Sequence, residues 1–229
     1  MIRPLFLACT LASACASAPA GDRDIAPITK LACRNDVVLL GELPSHGEAT
    51  AFELKARIVR DLVQRCGVAA VLFEAPIYEF VGFNEAIQHN RADTTQLNNA
   101  IGRFWLTREL APFRSWLYDR ARSGRLVVGG VDDQVSVTSH YARLRLPALM
   151  AGTCRETVAR NLNWTYSDAQ PFDRVEQQRL QTCAGANTGD DVMRRNLASY
   201  VSRQVDAPAA RTRDDVMFDN LRWHLTQLP

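Results

Sequence analysis

The chain has 229 residues, 47% hydrophobic and 23% charged, a balance that supports a packed core of domain size and excludes long intrinsic disorder. The formal net charge of +2, with arginines scattered rather than grouped, gives no basic field for nucleic acid or an anionic membrane surface. Nucleic acid is excluded as a partner on that ground.

The N-terminal stretch MIRPLFLACTLASACASAPA has an early Arg3, a short apolar run and then small residues. That is the layout of a secretory signal over residues 1–20, too short to persist as a bilayer span. Two processing routes fit: cleavage after Ala16-Ser17-Ala18, or lipidation of Cys15 within the lipobox-like LASAC. Both predict export of residues 21–229 as one domain, in the periplasm or anchored by lipid to a membrane facing it. An oxidising compartment lets disulfides persist. With Cys9 and Cys15 assigned to the signal region, Cys33, Cys66, Cys154 and Cys183 remain. Of the three pairings, Cys33 with Cys66 and Cys154 with Cys183 is favoured, because each pair flanks one local unit. No Cys-x-x-Cys occurs, so the cysteines do not read as a zinc site.

From Asp36, the run VVLLGE is short, apolar and bounded by polar residues and Gly41, which predicts a strand buried on both faces. A helix should follow, with Phe52, Ala56, Val59, Leu62 or Val63 and Cys66 on one face and Gly67 as its stop. VAAVLFEA then predicts a second buried strand ending at Glu74, closed by Pro76, with a weaker helical pattern over 77–89. HNRADTTQLNN reads as a polar link. A helix from about Thr107 places Leu110, Phe113, Trp116 and Leu117 on one face, with Gly124 after its end. RLVVGGVDD predicts a third strand ending at Asp132. Strands alternating with crossovers of this length imply parallel pairing. The expected fold class is therefore α/β: a parallel β-sheet built from βαβ units in the N-terminal half, followed by a mostly helical C-terminal half. Helices are predicted there over about 138–150, 155–163, 171–183, 190–204 and 213–227.

In a parallel sheet, whatever follows each strand emerges along one common edge, where open α/β folds place their ligands. This order would bring Glu42 and His46, Glu74, and Asp132 with Asp133 to one crevice. Such a cluster suits proton transfer, because imidazole titrates near neutrality and a neighbouring carboxylate holds its tautomer. His46 is the candidate to deprotonate a water attacking a substrate carbonyl, with Glu42 and Glu74 beside it. A lone Glu74 ending VLFE would carry a heavy desolvation cost unless paired or at the crevice. Asp132 fits a turn or helix cap equally well. There is no Gly-x-Ser-x-Gly elbow, Walker sequence or Gly-x-Gly-x-x-Gly. Glu42, His46, Glu74 and Asp132 are also a mixed nitrogen and oxygen donor set, but Glu-x-x-x-His lacks the spacing of a His-Glu-x-x-His helix. Hydrolysis is accordingly read without a metal or other cofactor.

The segments LLGELPSHGEATAFELKARIVRDLVQRCGVAAVLFEA, FWLTRELAPFRSWLYD, VVGGVD and RDDVMFDNLRWHL, in this order over roughly residues 36–227, resemble the successive motifs of the erythromycin esterase family. The resemblance implies an α/β hydrolytic protein with a sheet-edge cleft, a small-molecule ester or lactone as substrate, and the water-activating role for His46 supported by Glu42 and Glu74. Where the family commonly has an arginine, this chain has Lys55, with Arg57 two residues on. These two cations and Asp132 are the candidates for substrate or oxyanion binding, although an ammonium lacks the planar fork of a guanidinium. The family continues into a further strand and a histidine motif, whereas this chain ends at Pro229 and His224 falls inside the last helix. A family fragment or a shortened paralogue is therefore expected. The alternative reading is an exported non-catalytic protein that keeps the cleft, such as a haem- or metal-associated lipoprotein.

Overall fold

The computed structural model describes residues 25–41, 49–135, 139–162, 174–185, 191–204 and 210–228. The signal segment with Cys15, and the site candidates Glu42 and His46, lie outside the described residues. The elements run α1 (Ala26–Ala32), α2 (Ala49–Cys66), β1 (Ala70–Pro76), α3 (Ile77–Gln88), α4 (Thr94–Ile101), a 3-10 turn (Arg103–Trp105), α5 (Ala111–Arg122) and β2 (Val127–Asp132). They continue with α6 (His140–Ala148), α7 (Thr153–Asn161), α8 (Arg174–Gly185), α9 (Val192–Gln204) and α10 (Arg213–Thr226).

This order corrects the expected fold class. The described residues are mostly helical, and their only sheet is the parallel pair β1 and β2. The strand expected from Val37 is absent: residues 37–41 carry no regular secondary structure. Val37 is 43% and Leu39 84% exposed, while Val38 and Leu40 pack against Ile25, Ile58 and Leu62. A strand buried on both faces needs cover above and below. Here α1 and α2 cover one side only, so alternate side chains face solvent.

The helices form where periodicity and end signals agree. In α2, Phe52, Ala56, Ile58 and Leu62 are buried, and the chain leaves the helix through Gly67 at φ +69°, a conformation open to glycine without steric cost. The stretch 89–99, read as a polar link, carries most of α4 (Thr94–Ile101). Asp93 accepts a hydrogen bond from the Gln96 N–H at 2.8 Å and the Gln96 side chain accepts one from the Asp93 N–H at 3.0 Å, a reciprocal box that starts the helix. Helix α6 borrows its cap from another element: the Glu79 carboxylate on α3 accepts the N–H groups of Tyr141 and Ala142.

Two hydrophobic clusters meet across α3. One gathers Phe52 of α2, Phe73 of β1, Phe80 and Phe83 of α3, Leu97 of α4, Leu117 of α5 and Val128 of β2. The other joins Ile77 and Tyr78 of α3 to α6–α9 through Leu146, Val158, Leu180, Leu197 and Val201. Each large apolar side chain so buried contributes about 1.5–3 kcal/mol. The paired glycines of VVGGVD permit close approach at β2. A Cβ on Gly129 would stand 2.4 Å from the His224 ring, and one on Gly130 would stand 2.5 Å from the Ala75 carbonyl oxygen.

Both favoured disulfides are formed. Cys33–Cys66 ties the segment after α1 to the end of α2, and Cys154–Cys183 ties α7 to α8, each with Cα atoms 5.2 Å apart. No helix among the described residues is long and apolar enough to cross a membrane.

Candidate functional site at the carboxyl end of the strands

Strand β1 carries one extra residue against β2, since Phe73 pairs with Gly130 and Pro76 with Asp132. The bulge falls on Glu74 and Ala75. Bulges re-aim a side chain, and here Glu74 is turned outward with 53% of its side chain exposed, between buried Phe73 and Ala75. Pro76 has no N–H to extend the ladder and marks its end.

Asp132 closes β2 and is 3% exposed. Its Oδ1 accepts the Gln134 N–H at 3.2 Å, an Asx-type turn that fixes the carboxylate at the strand end. Arg213 joins the two acids. Its Nε and Nη2 donate to Asp132 Oδ1 and Oδ2 at 3.3 and 2.7 Å, and Nη2 also donates to Glu74 Oε1 at 2.8 Å. The hydrogen bond that Arg213 donates to Asp132 is the first cause that pushes the Arg213 pKa upward, so the guanidinium is permanently charged.

The position of Arg213 follows from local structure. Thr212 caps α10: its Oγ1 accepts the Asp215 N–H at 3.1 Å, and the Asp215 carboxylate accepts the Thr212 N–H at 3.3 Å. Arg213 is thus the first helical residue. Two polar anchors hold the helix on β2, with Asn220 Nδ2 donating to the Val131 carbonyl at 2.9 Å and His224 Nε2 bonded to the Gly130 carbonyl at 2.9 Å. Asn84 of α3 donates to the Val128 carbonyl at 3.1 Å on the same strand.

Behind this cluster Asp133 is fully buried and ion-paired with Arg203 of α9, and its backbone carbonyl accepts the Tyr78 hydroxyl at 2.9 Å. Burial pushes the Asp133 carboxyl above its usual range, with Arg203 acting in the opposite direction. Burial likewise holds the Tyr78 hydroxyl protonated. The pair braces the β2 end from within.

Of the residues singled out in sequence, Glu74 and Asp132 are brought together, at the predicted edge. Lys55 lies on α2 with its ammonium 5.6 Å from the centroid of the Phe52 ring, and Arg57 keeps Nη2 buried without a hydrogen-bond partner among the described residues. Arg213, which sequence reasoning did not single out, is the cation that reaches both acids. One signal for it was legible: a cation in the first turn opposes the helix dipole and implies a partner elsewhere. Among the described residues no group of three His, Cys, Asp or Glu is placed to hold a metal. No protein-family model, curated protein or solved structure matches the chain.

Proposed function

We propose that the chain is an exported hydrolase of the erythromycin esterase type, acting on a small ester or lactone in the periplasm, free or lipid-anchored through Cys15. The observation that carries this reading is the bridge from Arg213 to Glu74 and Asp132, which gathers ionisable groups from β1, β2 and α10 at one edge of the sheet. The order of family-like motifs adds to it, since the bridge joins three of those segments. Two disulfides are in keeping with an oxidising compartment.

In this mechanism His46 takes a proton from the attacking water. Glu42 and Glu74 hold the imidazole in its basic tautomer, and the half-exposed Glu74 carboxylate keeps one oxygen outside its bond to Arg213 for that task. Lys55 and Arg57 bind the body of the substrate. The test is hydrolysis of phenyl acetate and of erythromycin by wild type and His46→Ala, matched for ellipticity. Loss of a positioned general base should lower the rate on the order of 100- to 10,000-fold. Equal rates for the two proteins would remove His46, and with it the proposed mechanism.

A further inference from the structure

We infer that the cavity between the ends of α3 and α5 is a binding site for a small monocarboxylate with a body the size of one ring, its carboxylate held by Arg122. The inference is independent of the hydrolase reading, since it uses none of the residues invoked there.

Helices α3 and α5 end in the same way, side by side. Past α3, the Asn90 N–H donates to the Ile87 carbonyl at 3.0 Å and the Arg91 N–H to the Ala86 carbonyl at 2.8 Å. Past α5, the Gly124 N–H donates to the Ala121 carbonyl and the Arg125 N–H to the Arg120 carbonyl, each at 3.0 Å. Both are Schellman motifs, with Asn90 and Gly124 in the left-handed conformation at φ +54° and +68°. Tyr118 ties the two ends together, its hydroxyl donating to the Ala92 carbonyl at 2.9 Å. These helix-end carbonyls are satisfied by backbone donors, so capping does not use up the arginines of the two turns.

Between the ends lies a cavity of about 170 Å³ lined by Ile87, Asn90, Ala92, Tyr118 and Arg122. A cavity of about 150 Å³ takes a benzene ring, so this space suits a body of that size. The Tyr118 proton is committed to Ala92, and what the residue offers a ligand is its ring, beside Ile87 and Ala92. Arg122 is the one charged residue of the lining, and its guanidinium has no hydrogen bond or ion pair among the described residues. The planar fork of a guanidinium matches a carboxylate with two parallel N–H bonds. The Asn90 side-chain amide, equally without a partner among the described residues, adds a neutral donor.

Charge decides between anions. Each helix end carries about half a negative charge, which acts against any anion there. Exposed Arg91 and Arg125, one after each helix, offset those ends. Of the nearby acids, Asp93 is engaged in capping α4 and Asp119 is not in the lining. Arg122 is then left as a single positive charge at the cavity, enough to balance one carboxylate but not a phosphate dianion.

The experiment titrates isotope-labelled wild type with benzoate and follows backbone amide shifts by NMR, with benzamide as the uncharged isostere and phenyl phosphate as the dianion. Ordinary ligand efficiency for a molecule of this size gives a Kd on the order of 1 mM. The expected result is saturable shifts over residues 87–92 and 118–125, with benzamide bound at least tenfold more weakly and phenyl phosphate no more tightly than benzoate. Arg122→Gln should weaken benzoate at least tenfold, and Arg122→Lys should keep part of the affinity, since the charge remains without the fork. Ala92→Leu, which fills the cavity, should abolish saturation. Benzamide bound as tightly as benzoate, an unchanged Kd in Arg122→Gln, shifts that map elsewhere, or no saturable shift up to about 20 mM, well above the expected Kd, overturns the site. Tighter binding of phenyl phosphate overturns the assignment to monocarboxylates. Should Arg122→Gln not fold, the comparison of benzoate with benzamide on wild type decides.

Discussion

Gly129→Ala introduces a single methyl group where the His224 ring already lies. The added Cβ would stand 2.4 Å from Cε1 and 2.7 Å from Nε2 of His224, and 2.8 Å from Cδ2 of Leu72. The Leu72 methyl can rotate aside. The imidazole cannot, because it is 3% exposed and held by its 2.9 Å hydrogen bond to the Gly130 carbonyl. Residue 129 is not among the glycines with positive φ, so alanine meets no backbone penalty there. Stiffening the unfolded chain even favours alanine by about 0.4–1 kcal/mol. Against that gain stand about 1–3 kcal/mol for overpacking and about 1–3 kcal/mol for a buried donor and acceptor left unpaired. The net loss should be about 3 kcal/mol, within a range of roughly 1–5.5 kcal/mol. Urea unfolding followed by circular dichroism measures it, with a fall in thermal midpoint of about 6–12 °C for a domain of this size. In the Gly129→Ala background, His224→Ala should cost at least about 1 kcal/mol less than in wild type, because the two groups contest one space. A loss under about 1 kcal/mol, or strict additivity of the two changes, would refute the proposed seat of α10 on β2.

Two further outcomes follow from burial and cross-linking. Burial holds the His224 imidazole below its ordinary value near 6.5, so the folded protein stays neutral there while the unfolded chain takes up a proton. Its contribution to stability is complete above about pH 6.5 and declines as pH falls toward the lowered value. Glu79 and Asp133, pushed upward by burial, act with the opposite sign and favour the folded state on acidification. Subtracting the unfolding curve of His224→Gln isolates the histidine, and the difference should grow as pH rises toward about 6.5 and then level off; a flat difference counts against a buried neutral ring. The disulfides close separations of 33 and 29 residues, for which chain entropy gives about 3.7 kcal/mol each. Cys154→Ser with Cys183→Ser should lose roughly 2–4 kcal/mol in urea unfolding, and no measurable loss would show that α7 and α8 do not depend on the link.

The strands that carry site residues were legible because their ends are marked chemically. Glu74 before Pro76, and the Asp132-Asp133 pair after VVGGV, locate the carboxyl ends of β1 and β2 within a residue or two. The segment from Val37 failed for a physical reason. Val37 to Leu40 are all apolar, so composition alone suggests burial on both faces, whereas the chain only half-buries Val38 and Leu40 and leaves Val37 and Leu39 exposed. Which faces a strand covers is decided by its neighbours, and those lie elsewhere in sequence. The polar stretch before Leu97 misled in the other direction: Asp93 and Gln96 have the spacing of a capping box, yet the surrounding Asn and Thr residues suggested a loop. Arg213 stands 139 residues from Glu74 and 81 from Asp132, separations at which no local pattern can indicate contact.

Along β2 the carbonyls of Val128, Gly130 and Val131 are occupied by Asn84, His224 and Asn220. A strand edge is a template on which another chain can polymerise, and proteins blunt such edges by covering or deforming them. Carbonyls alternate along a strand, so Val128 and Gly130 share one side, and there an approaching backbone N–H would have to displace a side-chain donor already in place, one of them on a helix fixed to the strand end by Arg213. Growth of the short sheet by self-association through that edge of β2 is thereby opposed.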